Sequence, residues 1–221
     1  MIPTAALTAY QFLLKYPKRK LSKGQSVFIN GASGGVGTFA VQIARQIVGE
    51  SGKVVGCCSA KNADLVRRLG ADEVVDYKSV NLVEHLTQNY SNDRFDMILD
   101  AHGNWDLYHA SPHFMKKDGD FSAVAFEEPS KGGRSALSGF SCLFSALFLP
   151  TWLGGTPRRL TMSVTKVVPE DLHAIGGMIE RKEIVPILDS VWKFNDEDIK
   201  RAYEKIISGH AAGKVVISIR E

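Results

Sequence analysis

The chain is poor in cysteine, with three in 221 residues, two of them adjacent at Cys57 and Cys58. Adjacent cysteines rarely bridge each other, so a disulfide framework is excluded and a reducing compartment is expected. Charge of one sign is also scarce: 27 Lys and Arg against 24 Asp and Glu leave a net +3. The single basic cluster, Lys15 to Lys20, is broken by Pro17 and reads as a solvated loop rather than a nucleic-acid patch. No charged-then-apolar leader with a cleavage site opens the chain. Long hydrophobic runs are nearly absent. The nearest, residues 136–153, is uncharged over 18 residues but holds Gly139, Pro150 and three serines, which argues against a membrane-spanning helix. Neither a Ser-His-Asp order, a metal-binding helix nor a paired-carboxylate pattern stands out.

What is present is ample for a packed core: 44% hydrophobic residues, enough for one large domain or one with an appendage. The chain is organised around Ser26 to Val48. Val27-Phe28-Ile29 is an uninterrupted apolar run suited to a strand buried on both faces of a parallel sheet. Four glycines follow within seven residues, Gly31 to Gly37, and then Val36, Ala40, Val41, Ile43, Ala44 and Ile47 recur at helical spacing. Strand, glycine turn, helix is the phosphate-binding corner of a doubly wound domain. A helix begins with unpaired amides and a partial positive charge, so the backbone of Ser33, Gly34, Gly35 and Val36 can hold a pyrophosphate provided no side chain keeps it away. Gly34 permits the approach, Gly37 lets the helix pack on the strand, and Ala32 takes the place of the first glycine of the strict pattern.

Around this corner the pattern alternates. A helix is expected over residues 1–15, strands at 53–58, 73–77, 95–100 and 120–126, and helices capped by Ser59 and closed by Gly70, over 83–90 and over 105–115. Alternation lapses from Glu127 to Gly155. It resumes with a strand at 159–164, a helix over 170–180, an extended piece at 184–188 containing Pro186, a helix capped by Asn195 and running to Ile207, and a last strand at 214–219. Five strands alternating with four helices predict a parallel sheet wound both ways, six-stranded once 159–164 joins it, with the last forty residues as an addition.

These segments resemble the medium-chain dehydrogenase/reductases, specifically their zinc-independent quinone oxidoreductase-like branch, and within it the reticulon-4-interacting-protein-like reductases and their fungal relatives. The resemblance rests on Pro3-Thr-Ala-Ala-Leu-Thr-Ala-Tyr10, Leu21 through Gly37, Leu69-Gly-Ala-Asp-Glu-Val-Val-Asp-Tyr77, Phe95 to Asp100 and Gly209-His-Ala-Ala-Gly-Lys-Val-Val-Ile217. It implies an α/β Rossmann domain at 25–182. It further implies a connecting helix at 1–24 from a GroES-like catalytic domain, and a C-terminal extension at 183–221 that normally packs on that domain. The reducing compartment indicated by the cysteines is read as the cytoplasm, with mitochondria as the other address.

A fold preferring NAD places a carboxylate at the end of the second strand. That position is Cys58 here, and no acid follows until Asp64, so a 2′-phosphate is tolerated. The resemblance puts that phosphate on Ser59 and Tyr77. Asn62 stands where relatives carry a base, and Lys61 lies one place earlier, so NADP is the expected cofactor. It also places cofactor contacts at Ala101 and His102 after the fourth strand and at Ala125 on the fifth. Zinc is not expected: the segment supplying a cysteine ligand in zinc-using relatives reads Ile-Pro-Thr-Ala-Ala-Leu-Thr, without sulfur or imidazole.

A short-chain dehydrogenase, whose wider glycine spacing Gly31 to Gly37 also fits, needs a tyrosine with a lysine four residues later. The one such pair, Tyr16 and Lys20, precedes the glycine turn and spans Pro17. The implied activity is zinc-free hydride transfer from NADPH to a small-molecule quinone, enone or related conjugated carbonyl. Phe140, Leu143, Phe144, Leu147, Phe148 and Trp152 either line an apolar cleft for the acceptor or pack in the domain or a homodimer interface. Two other readings are a non-catalytic NADPH-binding sensor or interaction module, and a membrane-surface protein using residues 136–153. No catalytic residue is assigned.

Overall fold

The computed structural model describes residues 3–124 and 155–219. Among them, β1 (Ser26–Asn30), β2 (Lys53–Cys58), β3 (Glu73–Asp76), β4 (Phe95–Asp100), β5 (Met115–Ala123) and β6 (Arg159–Met162) form one sheet in the order β3-β2-β1-β4-β5-β6. Every pairing is parallel, with Val27 opposite Val54 on one side and Met97 on the other. The doubly wound sheet is therefore present.

Period two sorts the strand residues onto two faces. Val27, Ile29, Met97 and Leu99 join one core with α1 (Pro3–Leu14), α2 (Gly37–Val48) and α6 (Pro169–Glu180). Phe28, Ile98 and Phe121 join the other with α4 (Leu82–Tyr90) and α5 (Trp105–Ala110). The short α3 (Ala63–Arg68) leads into β3. Both β1 and β4 are buried along their whole length, as uninterrupted apolar runs in a covered parallel sheet should be.

Beyond the main sheet, β7 (Leu188–Lys193) and β8 (Lys214–Ser218) pair in parallel, joined through α7 (Asp196–Ile207). Leu188, Val191, Phe194, Tyr203, Ile206 and Ile207 of this unit are exposed.

Several element boundaries differ from the sequence expectation. The helix expected over 105–115 ends at Ala110, because Pro112 in the following 3₁₀ turn has no amide with which to continue the ladder. The fifth strand then starts at Met115 rather than residue 120, opposite Phe95, with a register shift before Met97. The sixth ends at Met162 instead of 164: Val164 O accepts from the Tyr16 hydroxyl and the Lys166 amide donates to Gln11 Oε1, so the chain follows α1 there.

The extended piece at 184–188 is not a strand either. Val185 is held by both ends of the Gln42 amide, and pairing begins only at Leu188 and runs through Lys193. Ser59 caps no helix through its side chain. Asn195 does cap α7, accepting from the Asp198 amide at 2.9 Å.

Candidate functional site

In a doubly wound sheet the crevice opens where strand order reverses, outside the carboxyl ends of the strands. Here that point lies between β1 and β4. Their last residues, Asn30 and Asp100, are both buried and hydrogen-bonded at 2.9 Å. Beyond Asn30 the chain turns through Gly31, whose φ of 76° is left-handed, and enters the glycine turn. Gly37 is where helix and turn touch: a β-carbon there would lie 2.1 Å from Gly31 O and 2.7 Å from Ala32 Cα. Gly34 is different, since its added β-carbon would meet nothing nearer than Gly31 O at 3.3 Å.

Among the described residues no side chain caps the start of α2. Val36 occupies the cap position with no side-chain cap, and its first turn carries no acidic residue. Gly34 N donates to Gly31 O and Thr38 N to Gly34 O, whereas the amides of Gly35 and Val36 find no acceptor among the described residues. Two donors and the positive end of a twelve-residue helix thus face the crevice mouth. Ala32 is buried, its amide tied to Cys57 O at 2.8 Å. Ser33 is held from two sides. Its hydroxyl accepts from Asn62 Nδ2 at 3.1 Å, and its carbonyl accepts from the Gly213 amide at 2.9 Å.

At the far end of β2, Cys58 is buried, Ser59 half-buried, and Lys61 and Tyr77 exposed. The Tyr77 amide donates to Cys58 O, which brings the end of β3 alongside that of β2. Three of the residues expected around a 2′-phosphate, Ser59, Lys61 and Tyr77, therefore border one surface. The register also places Asp76 opposite Cys58. A carboxylate thus stands beside the second strand although none follows Cys58 in the chain, and one of its oxygens, Oδ1, already accepts from the Lys78 amide. Burial first, then Asp76, pushes the Cys58 thiol up to about 11, and burial pushes Cys57 up to about 12. Both are small buried groups rather than nucleophiles at neutral pH.

Ala101 and His102 follow β4 on a loop fixed by Asp100. Its Oδ1 accepts from the amides of His102 and Gly103 at 3.0 and 2.9 Å, and Oδ2 from that of Asn104 at 2.6 Å. This loop reaches the glycine turn, because a β-carbon on Gly31 would touch Ala101 Cβ at 3.7 Å. His102 itself is exposed. A small cavity behind the loop, lined by Asp100, Trp105, Tyr108 and Phe121 among others, does not extend to the glycine turn. Ala125 and the apolar stretch 136–153 lie outside the described residues.

Two groups were missed from sequence. Asn62 stands where a base was looked for and instead braces Ser33. Lys214, at the start of β8, brings its ammonium over Gly35, so that a β-carbon there would lie 2.6 Å from Nζ. Neither contact leaves a local signal, since each joins segments distant in the chain.

A family profile described as zinc-binding dehydrogenase matches residues 69–217. The chain belongs to that family, within the medium-chain dehydrogenase/reductase superfamily. It is 33% identical to trans-enoyl reductase pgmF of Aspergillus terreus over 100% of this chain and 58% of that protein. It is 31% identical to the mitochondrial NAD(P)H oxidoreductase RTN4IP1 of Drosophila melanogaster over 88% of this chain and 46% of that one.

The fold of the quinone oxidoreductase from Coxiella burnetii superposes with a TM-score of 0.75 at 23% identity, covering 99% of this chain and 59% of that one. The chain thus spans about half the length of the relatives it matches. Despite the family's description, the described residues contain no group of three or more His, Cys, Asp or Glu that could hold a metal. Among them no helix is long and apolar enough to cross a membrane.

Proposed function

We propose that the chain is the nucleotide-binding part of a zinc-independent oxidoreductase that uses NADPH to reduce a quinone, an enone or a similar conjugated carbonyl compound. The observation that carries this reading is the uncapped start of α2: free amides at Gly35 and Val36, reached over glycines, in a member of a dehydrogenase family. The pyrophosphate sits on those amides, and Ala32, Ser33 and Gly34 form the floor beneath it. Ser59, Lys61 and Tyr77 receive the 2′-phosphate. Ala101 and His102 face the nicotinamide half. Asp76 is the feature that opposes NADPH, because a carboxylate there favours ribose hydroxyls over a phosphate.

When bound, the cofactor supplies the hydride. The protein's share is positional: it fixes the phosphates at one end and, through the Asp100-anchored loop, sets the shelf on which the reacting ring lies. In this reading residues 1–24 connect to a GroES-like catalytic domain, 25–182 bind the nucleotide and 183–221 pack on that domain, which completes the acceptor cleft.

Titration of the purified chain with NADPH and NADH by nicotinamide fluorescence is the test. Tighter NADPH binding supports the proposal, and turnover of a simple quinone would extend it to catalysis by this chain. Binding of NADPH without turnover leaves a cofactor-binding module. Failure to bind either nucleotide ends the oxidoreductase reading.

A further inference from the structure

The C-terminal strand pair contributes to the glycine turn in a way that the family assignment does not record. Three observations meet there. Gly213, with φ 97°, passes so close to Ile187 that a β-carbon would lie 2.4 Å from its carbonyl oxygen, and its amide donates to Ser33 O at 2.9 Å. The next residue, Lys214, is half-buried and its Nζ lies over Gly35. Four other lysines of the fold find carboxylates: Lys15 pairs with Asp171, Lys53 with Glu73, Lys116 with Asp96 and, within the same C-terminal unit, Lys205 with Asp189. Lys214 has no acceptor or ion pair among the described residues. Burial alone moves its ammonium, downward from the usual lysine range. A desolvated cation without an anion beside two unpaired amides is a charge waiting for a counter-charge.

We propose that Lys214 is the cationic ligand of the nucleotide's pyrophosphate, and that the phosphates thereby fasten the β7–β8 unit to the glycine turn. This deepens, and rests on, the nucleotide-binding reading. The lysine and the helix start would hold the two linked phosphates together, the one as a point charge and the other through amides. Because the contact is to the pyrophosphate, it serves NADPH and NADH alike.

The experiment compares the parent chain with Lys214→Met and Lys214→Arg by fluorescence titration with both nucleotides, and by competition with adenosine 5′-diphosphate and adenosine. Loss of a charged hydrogen-bonding partner is expected to weaken NADPH, NADH and the diphosphate by about tenfold to a hundredfold, leave adenosine unchanged, and be largely restored by arginine. Amide exchange across residues 213–218 should slow on adding the diphosphate to the parent and not to Lys214→Met. Methionine has a similar length and removes an unpaired charge, so that variant should melt no lower than the parent without ligand.

Equal binding by parent and Lys214→Met overturns the proposal, as does a loss confined to NADPH, which would assign the lysine to the 2′-phosphate. A variant that melts well below the parent without ligand would assign it to packing and also overturn it. A parent that binds neither nucleotide is the distinct failure of the underlying reading.

Discussion

Asn30 Nδ2 donates to Asp100 Oδ1 at 2.9 Å, joining the last residues of two neighbouring parallel strands at the mouth of the crevice. The same carboxylate receives the amides of His102, Gly103 and Asn104, so four donors converge on one buried side chain. An amide in its place would turn an NH₂ group toward at least one of those donors. Asp100→Asn is expected to cost about 1–3 kcal/mol in urea unfolding and to free the 101–104 loop. Nucleotide affinity should fall less than the protection of the 101–104 amides from hydrogen exchange. An unchanged unfolding midpoint would show that the loop does not depend on this anchor.

Two glycines four residues or fewer from each other should respond in opposite ways. Gly37→Ala drives a methyl group into the Gly31 carbonyl, and backbone cannot yield as a side chain does. A loss of about 3 kcal/mol or more is expected, read as a lowered urea midpoint or as insoluble protein. Gly34→Ala brings its methyl to 3.3 Å from the same carbonyl, a tight contact that a shift of a few tenths of an ångström relieves, and places it in the turn where the pyrophosphate is proposed to sit. That variant should lose far less stability than Gly37→Ala and bind nucleotide at least tenfold more weakly, since a misplaced phosphate forfeits charged hydrogen bonds worth about 1.5–3 kcal/mol. Tight binding by Gly34→Ala would move the pyrophosphate elsewhere.

On the proposed reading, cofactor choice turns on the surface shared by the ends of β2 and β3. Lys61 is exposed there, so its interaction with a 2′-phosphate is screened by salt and worth on the order of 1 kcal/mol. Lys61→Ala should weaken NADPH about fivefold at low salt, less at high salt, and leave NADH untouched. Asp76→Asn should strengthen NADPH relative to NADH. If neither ratio moves, the ribose end of the cofactor does not lie on this surface.

The cysteines supply a pH test. With its pKa pushed up to about 11, Cys58 is deprotonated about a hundredfold less at pH 8 than a thiol at the ordinary value of 9, and Cys57 less still. In a Cys142→Ser background, iodoacetamide should label the folded chain very slowly at pH 8, faster as pH rises towards 11, and rapidly in urea. Rapid labelling of the folded protein at pH 8 would mean that β2 is open to solvent.

Much of this architecture can be read along the chain. Val27-Phe28-Ile29 and the apolar stretch of β4 announce buried strands, the glycines announce the turn, and Asn195 announces α7, because each is a local pattern. What escapes is pairing across distance. Asp76 reaches Cys58 through strand register, Asn62 reaches Ser33 across the β2 crossover, and Lys214 reaches Gly35 from the last strand. Local chemistry can also mislead. Ser59 is a good capping residue that caps nothing, and the polar Lys116-Lys117-Asp118 looks like a loop yet lies within β5.

The hydrogen bond from Gly213 to Ser33 ties the first crossover of the sheet to the final strand of the chain. Synthesis therefore makes the glycine turn long before the segment that reaches back to it. A nascent polypeptide halted shortly before residue 213 would carry all six strands of the main sheet without this tie, and on the role proposed for Lys214 its capture of a nucleotide would be correspondingly weak.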